Sequence, residues 1–152
     1  MPGKKILWAL MAGMITFDNI YSYIAVVYYG LREANPIPAF FVSITPLYYF
    51  ASILLSLLFL YLLVKVLCRW GVKGEKTKKE EKQEALEMLA MTCVAIAWGI
   101  GITSFNLASF LNGFFPPRMD WRLVSFAGAA LALMYALYEG NRLKKRFSWD
   151  AK

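Results

Sequence analysis

Four long apolar stretches, separated by charged or proline-containing segments, make up most of the chain. They cover residues 6–29, 47–64, 88–115 and 123–138, and only Asp18 and Asn19 break the first of them. A helix needs about 20 mostly apolar residues to cross a hydrocarbon core roughly 30 Å thick. The pattern therefore predicts an all-α polytopic membrane protein. We expect one domain over residues 1–152, with four transmembrane helices at about 6–29, 37–67, 86–114 and 121–140.

Pro46 interrupts the second predicted helix. The apolar stretch at 37–45 precedes it and the long apolar run at 47–64 follows it. Proline removes a backbone donor and clashes with the preceding turn, so it kinks or ends a helix. Two arrangements remain open. Residues 37–45 either belong to one long helix with a break or kink near Pro46, or form a short interfacial or re-entrant helix.

The distribution of lysine and arginine predicts how the chain is threaded. Of the 17 such residues, Lys4 and Lys5 precede the first helix, seven lie between residues 65 and 82, and five lie between 142 and 152. Only Arg32, Arg118 and Arg122 lie elsewhere. Cytoplasmic loops carry the excess of these residues. We therefore expect a multi-pass protein of the cell membrane, made of two hairpins, with both termini and a loop at about 69–85 in the cytoplasm.

Composition then limits the kinds of chemistry. The chain is 59% apolar and 16% aromatic, which is unlike a disordered or nucleic-acid-binding segment, and its +7 charge fits contact with anionic headgroups. It contains no histidine, and its two cysteines lack the spacing of a zinc site. We expect no metal, no cofactor and no nucleic-acid partner. The first apolar run is longer than a signal-peptide core and contains Asp18, so we interpret it as a retained helix.

Asp18 is the most informative single residue, because it lies near the middle of the first predicted helix. A carboxylate at that depth costs about 2.5–3.5 kcal/mol on insertion scales. No lysine or arginine is placed to pair with it, so we expect a protonated carboxyl group bonded to polar neighbours. The candidate neighbours come from the same helix and from the third: Asn19, Ser22, Thr103 and Asn106. Such a cluster is either interhelical packing or a site for a proton or ligand.

The segment between the first two helices carries a second candidate. Gly30, Asn35 and Pro36 have the residue types that end one helix and begin the next. Glu33 is not required for that turn. It either pairs with Arg32 or Arg122, lies near the N-terminus of the following helix, where the helix dipole favours an anion, or contacts a ligand or ion. If the first helix were continuous, Asp18 and Glu33 would lie about 22 Å apart, too far to act as paired catalytic carboxylates. We found no other catalytic motif, so an enzyme is the least favoured function.

These residues resemble a known signature. A small prokaryotic family of multi-helix membrane proteins of unknown function has the pattern Asp-x-x-x-Thr in its first helix, followed by Glu-x-Asn-Pro. The similarity covers roughly residues 14–112, and Ser22 stands where the family has threonine. The matching positions are Asp18, Ser22, Gly30, Glu33, Asn35, Pro36 and Asn106. The resemblance implies a multi-helix membrane protein and no particular activity.

The sequence therefore favours a membrane-embedded binding, accessory or complex-forming protein with a polar cluster around Asp18, which could assemble as a homo-oligomer or join a larger membrane complex. The alternative is a small proton- or cation-coupled transporter or channel in which Asp18 titrates. We interpret the aromatic residues near the ends of the helices, Tyr48 and Tyr49 among them, as an interfacial belt rather than a ligand cage. Small residues spaced by four, such as Ala9 with Gly13, predict close helix packing.

Overall fold

The computed structural model describes residues 3–33, 36–74 and 78–147, and every regular element in these ranges is a helix. The elements are α1 (Lys4–Val27), α2 (Pro36–Ile44), α3 (Tyr48–Gly71), α4 (Lys79–Trp98), a π-helical turn (Gly99–Thr103), α5 (Ser104–Leu111) and α6 (Trp121–Phe147). Helix α4, the π-helical turn and α5 follow each other without a gap over 33 residues.

Four of these helical stretches are long and apolar enough to cross a membrane: α1, α3, the stretch from Lys79 to Leu111, and α6. The prediction of an all-helical chain with four such helices is confirmed. The polar connection is shorter than expected, because α3 continues to Gly71 and α4 begins at Lys79. Helix α6 likewise runs on to Phe147. Lysine, arginine and glutamate are good helix formers, so counting apolar residues alone ends a helix too early.

The chain breaks at Pro46 instead of kinking there. Helix α2 has nine residues and ends at Ile44, and α3 begins two residues after the proline. The backbone N–H groups of Phe50 and Ala51 bond to the carbonyl oxygen of Leu47, which starts the new helix. Residues 36–44 are therefore a separate short helix, with its Phe41 ring stacked on Tyr48 of α3 at 5.0 Å.

Helix α1 packs against both α3 and α4. Its buried residues recur every three or four positions, which is the spacing of one helical face, and they are Leu7, Met11, Ile15, Asp18, Tyr21 and Ala25. Near the first half of α1 these residues meet buried apolar side chains of the neighbouring helices, namely Leu60, Val64, Cys68 and Met91. This apolar cluster closes that half of the bundle.

A buried glutamate joins three helices at the same end. The side chain of Glu87 on α4 is 3% exposed and forms ion pairs with Lys4 of α1 and Lys65 of α3, the latter at 2.6 Å. The amide of Gln83 also donates to it at 3.1 Å. The start of α1, the end of α3 and the start of α4 therefore lie together.

Glycines allow α6 to approach the π-helical turn closely. A Cβ atom added to Gly128 would lie 2.8 Å from the carbonyl oxygen of Ala97 and 2.9 Å from the backbone nitrogen of Gly101. One added to Gly101 would lie 3.0 Å from the Cα atom of Ser125. Gly13 differs, because nothing lies within 4 Å of its position for a Cβ atom. The predicted close packing at Ala9 and Gly13 is therefore wrong at Gly13.

Candidate functional site

Asp18 lies on the buried face of α1 and is only 5% exposed. It follows Ile15 by three residues and precedes Tyr21 by three, so it continues the stripe that packs against α4 and α5. The side chain therefore faces other helices, as the sequence predicts. Its hydrogen-bond partners indicate its role.

Three side chains from one neighbouring stretch donate hydrogen bonds to the two carboxyl oxygens of Asp18. The indole Nε1 of Trp98 and the hydroxyl of Thr103 donate to Oδ2 at 2.6 and 2.8 Å, and Nδ2 of Asn106 donates to Oδ1 at 3.1 Å. Both carboxylate oxygens accept. A carboxylate offers about four lone-pair positions, so three of them are used.

The π-helical turn explains how one stretch supplies all three donors. In a regular α-helix each residue turns about 100°, so Thr103 would lie about 140° around the axis from Trp98. A π-helical turn bonds residue i to i+5 and takes up one extra residue. It therefore turns Thr103 and Asn106 back toward the face that carries Trp98. Such turns occur frequently at functional sites.

Asn19 connects α1 to α3 instead of joining the Asp18 group. Its Nδ2 donates to the carbonyl oxygen of Ile15 at 2.8 Å, and its Oδ1 accepts from the hydroxyl of Ser52. Ser52 also lies 2.8 Å from the carbonyl oxygen of Tyr49. Adjacent residues on a helix point about 100° apart, so Asp18 and Asn19 contact different neighbours.

Ser22 is half-buried, and within residues 3–33, 36–74 and 78–147 it has no hydrogen bond to Asp18. The structure thus brings Asp18 together with Thr103 and Asn106, as expected from the sequence, but Trp98 takes the place expected for Ser22. Asn35 lies outside the described residues.

Glu33 turns back toward the bundle. Helix α1 ends at Val27, and Gly30 adopts the left-handed conformation with φ 65°, which reverses the chain. The Tyr49 hydroxyl then donates to Oε2 of Glu33 at 2.6 Å. The expected 22 Å separation from Asp18 assumed a continuous helix and does not apply here. Tyr49 is 3% exposed, so it is a buried partner of Glu33 and not part of an interfacial belt.

Asp18 and Glu33 line the same open cavity, which has a volume of about 420 Å³ and is called the Asp18 cavity from here on. Its other polar lining residues carry hydroxyl or amide groups: Asn19, Ser22, Ser52, Ser56 and Asn106. Its aromatic lining residues are Tyr48, Tyr49, Trp98, Phe105 and Trp121. Because Tyr48 and Trp121 begin α3 and α6, the cavity extends from Asp18 toward the end of the bundle opposite Glu87.

The charged residues described in the lining of the Asp18 cavity have one sign, while the guanidinium of Arg122 lies just beside it, 5.9 Å from the centroid of the Trp121 ring. Among the described residues that line it, two are acidic and none is lysine or arginine. In the same described ranges, no group of three or more acidic or cysteine side chains is placed to hold a metal ion. The lining therefore combines negative charge, hydroxyl and amide groups, and aromatic rings.

Sequence reasoning missed Trp98, Tyr49 and Ser52. Tyr49 and Ser52 are three residues apart at the start of α3 and share a face, and this spacing was the available signal. Trp98 gave no such signal, since its alignment with Thr103 depends on the π-helical turn.

No family model, curated protein or solved structure matches the chain. The geometry of the Asp18 cavity is therefore the basis for the function.

Proposed function

We propose that this protein is an integral membrane protein that binds a small positively charged solute in the Asp18 cavity. The observation that carries the proposal is the lining, which contains Asp18 and Glu33 and, among its described members, no lysine or arginine. The proposal takes Asp18 as ionised and not protonated as its depth in the helix suggested, since three side chains donate hydrogen bonds to it. Charges interact strongly where water is scarce, so two carboxylates in a cleft attract cations and repel anions. The cavity volume of about 420 Å³ also falls in the range of small-molecule sites.

The proposed topology places four crossings in the cell membrane as two hairpins, with both termini in the cytoplasm. Fourteen of the 17 lysine and arginine residues then lie on the cytoplasmic side, where they face anionic headgroups. The ion pairs of Glu87 support this threading, because they join Lys4 before the first apolar run to Lys65 after the second. In this topology the Asp18 cavity opens toward the outer face.

Charge-selective labelling of a cysteine in the cavity tests the proposal. Ser22→Cys, in a chain with Cys68→Ala and Cys93→Ala, is exposed in liposomes to two methanethiosulfonate reagents of similar size, one trimethylammonium and one sulfonate. We expect the cationic reagent to react at least about tenfold faster than the anionic one, because a negative cleft concentrates cations. Glu33→Gln should reduce this ratio.

Ser43→Cys is the matched control, since Ser43 is exposed on α2 and does not line the cavity. The two reagents should react there at similar rates. Equal rates at Ser22→Cys, or no reaction with either reagent, would refute the proposal.

A second candidate is cation- or proton-coupled transport, and the one-sided access of the cavity favours it. The polar lining reaches Asp18 from one end, while Leu7, Met11 and Met91 fill the other half of the bundle and are at most 2% exposed. In a transporter these two halves would open in turn. Asp18→Asn reconstituted in liposomes should then remain folded but lose proton or solute flux, and unchanged flux would exclude this function.

A further inference from the structure

The side chains that line the Asp18 cavity indicate which class of cation it binds. This inference rests on the proposed binding function and names its ligand. The first observation is that the carboxylate of Asp18 is already occupied by hydrogens from Trp98, Thr103 and Asn106. Indole and amide nitrogens that donate hydrogen have no lone pair to offer a metal ion.

A bare metal ion would therefore find few ligands at the bottom of the cavity. Hard cations such as Ca²⁺ take six to eight oxygen ligands, and Mg²⁺ requires six in nearly ideal geometry. Oδ1 of Asn19 already accepts a hydrogen bond from Ser52, and Oε2 of Glu33 accepts one from Tyr49. These hydrogen bonds already use part of the acceptor capacity of both oxygens, which leaves less of it for a metal ion.

An organic ammonium ion has no such requirement, because its charge is compensated at longer range and by aromatic faces. Five of the lining residues are aromatic: Tyr48, Tyr49, Trp98, Phe105 and Trp121. A cation held within about 6 Å of such a ring is attracted to its face, and tryptophan and tyrosine are the strongest partners. Quaternary ammonium ligands are typically recognised by such aromatic cages.

The dimensions agree with this class. The cavity of about 420 Å³ is much larger than a dehydrated metal ion requires, and it lies in the range of about 300–1,000 Å³ that holds small organic ligands. We propose that the Asp18 cavity binds a small organic ammonium ion, with its alkyl groups against Tyr48 and Trp121 and its charge between Glu33 and Asp18.

Protection of Ser22→Cys from the cationic reagent measures this binding. The probes are choline, its uncharged analogue 3,3-dimethylbutan-1-ol, and K⁺. We expect choline to give half-maximal protection at a concentration at least about tenfold lower than either of the other two. If K⁺ protects equally well the site is one for inorganic cations, and if the uncharged analogue protects equally well charge is not recognised. Either result, or no protection by choline, overturns the proposal.

Aromatic variants test the wall directly. Tyr48→Leu and Trp121→Leu should each raise the choline concentration for half-maximal protection at least about fivefold, while Tyr48→Phe, which keeps the ring, should stay within about twofold of the parent chain. Trp70→Leu is the control, since Trp70 is 72% exposed and lies at the other end of α3. Size-exclusion profiles check that every variant is folded, and unchanged protection in both leucine variants would refute the aromatic contact.

The experiments separate a failure of the proposed function from a failure of the ammonium ligand. Cation-selective labelling of Ser22→Cys without choline protection leaves the proposed function intact and removes the ammonium ligand. Absence of cation-selective labelling removes both.

Discussion

The indole Nε1 of Trp98 donates a hydrogen bond of 2.6 Å to Oδ2 of Asp18, and so joins α1 to the end of α4 across 80 positions of sequence. The indole N–H can only donate, so it fills an acceptor position on Asp18 and takes no hydrogen bond in return. Hydrogen bonds to charged groups contribute more than neutral ones. This contact therefore couples the stability of the bundle to the geometry of the cavity.

Trp98→Phe should lower the free energy of unfolding by about 1.5–3 kcal/mol, because it keeps most of the ring but removes one donor from the carboxylate. Thr103→Val removes the other donor to the same oxygen. The two losses should not be additive, since both variants act on Oδ2. Unfolding titrations in detergent on the parent chain, the two single variants and the double variant measure these losses. Additive losses would contradict a shared acceptor.

Exchanging the residue types of Asp18 and Asn106 tests which of their atoms donate and which accept. Asp18→Asn places an amide nitrogen beside the donating Nδ2 of Asn106 or withdraws an acceptor from Trp98, so we expect a loss of about 1–3 kcal/mol. In the double variant Asp18→Asn with Asn106→Asp, the amide oxygen of residue 18 accepts from Trp98 and Thr103 while its nitrogen donates to the carboxylate introduced at position 106. The double variant should recover at least half of the loss. A double variant no more stable than Asp18→Asn would refute the pattern.

Two serines whose hydroxyl oxygens are buried should respond differently to replacement by alanine. Ser109 is fully buried and its Oγ accepts from the Tyr21 hydroxyl at 2.6 Å, so Ser109→Ala should cost about 1–3 kcal/mol. Oγ of Ser125 is buried and has no partner within the described ranges. Ser125→Ala should therefore be neutral or stabilising, because it removes an unsatisfied hydroxyl. Melting temperatures in detergent provide the comparison, and equal losses would contradict it.

Gly128→Ala should destabilise the packing of α6 by about 1–3 kcal/mol, because the added methyl group meets backbone atoms of Ala97 and Gly101, which cannot rotate away. Gly13→Ala is the control: Gly13 is also helical, and nothing lies within 4 Å of the added atom. That variant should be neutral or more stable by up to about 1 kcal/mol, since alanine favours helix more than glycine. A thermal unfolding series would be inconsistent with this packing if both variants behaved alike.

Glu87→Gln should cost more than Glu84→Gln, although both residues lie on α4. Glu87 is 2% exposed and holds Lys4 and Lys65, whereas Glu84 is exposed one turn earlier. Both lysines reach solvent, so we expect a loss of about 1–3 kcal/mol at Glu87, below that of a fully buried pair. The loss at Glu84 should be close to zero. Equal denaturant midpoints for the two variants would contradict a structural role for the ion pairs.

The helical class and the four long apolar helices follow from the sequence because the length of the apolar runs is sufficient to predict them. The burial of Asp18 follows as well, since a carboxyl group near the middle of a membrane-spanning helix is costly unless it faces other helices. Thr103 and Asn106 were found as polar residues in the opposing helix. These inferences need only composition and the regular helical period.

The remaining features depend on departures from that period. Ser22 shares a face with Asp18 by spacing and lines the cavity, but among the described residues it is not bonded to the acid. Trp98 shares a face with Thr103 and Asn106 because of the π-helical turn that follows it, which the regular helical period does not predict. The position of Glu33 does not follow from helical rise, because α1 ends at Val27 and Gly30 reverses the chain before it. Tyr49 and Ser52 required knowledge of which helices are neighbours.

The π-helical turn at Gly99–Thr103 makes the arrangement depend on the number of residues as well as on their identity. A chain one residue shorter in this turn would form an unbroken α-helix, with every later side chain turned by about 100°. Thr103 and Asn106 would both still be encoded, yet they would point elsewhere. Any natural relative that uses the same acid should therefore preserve the spacing between its counterparts of Trp98 and Asn106, and a length change there would mark a divergent site.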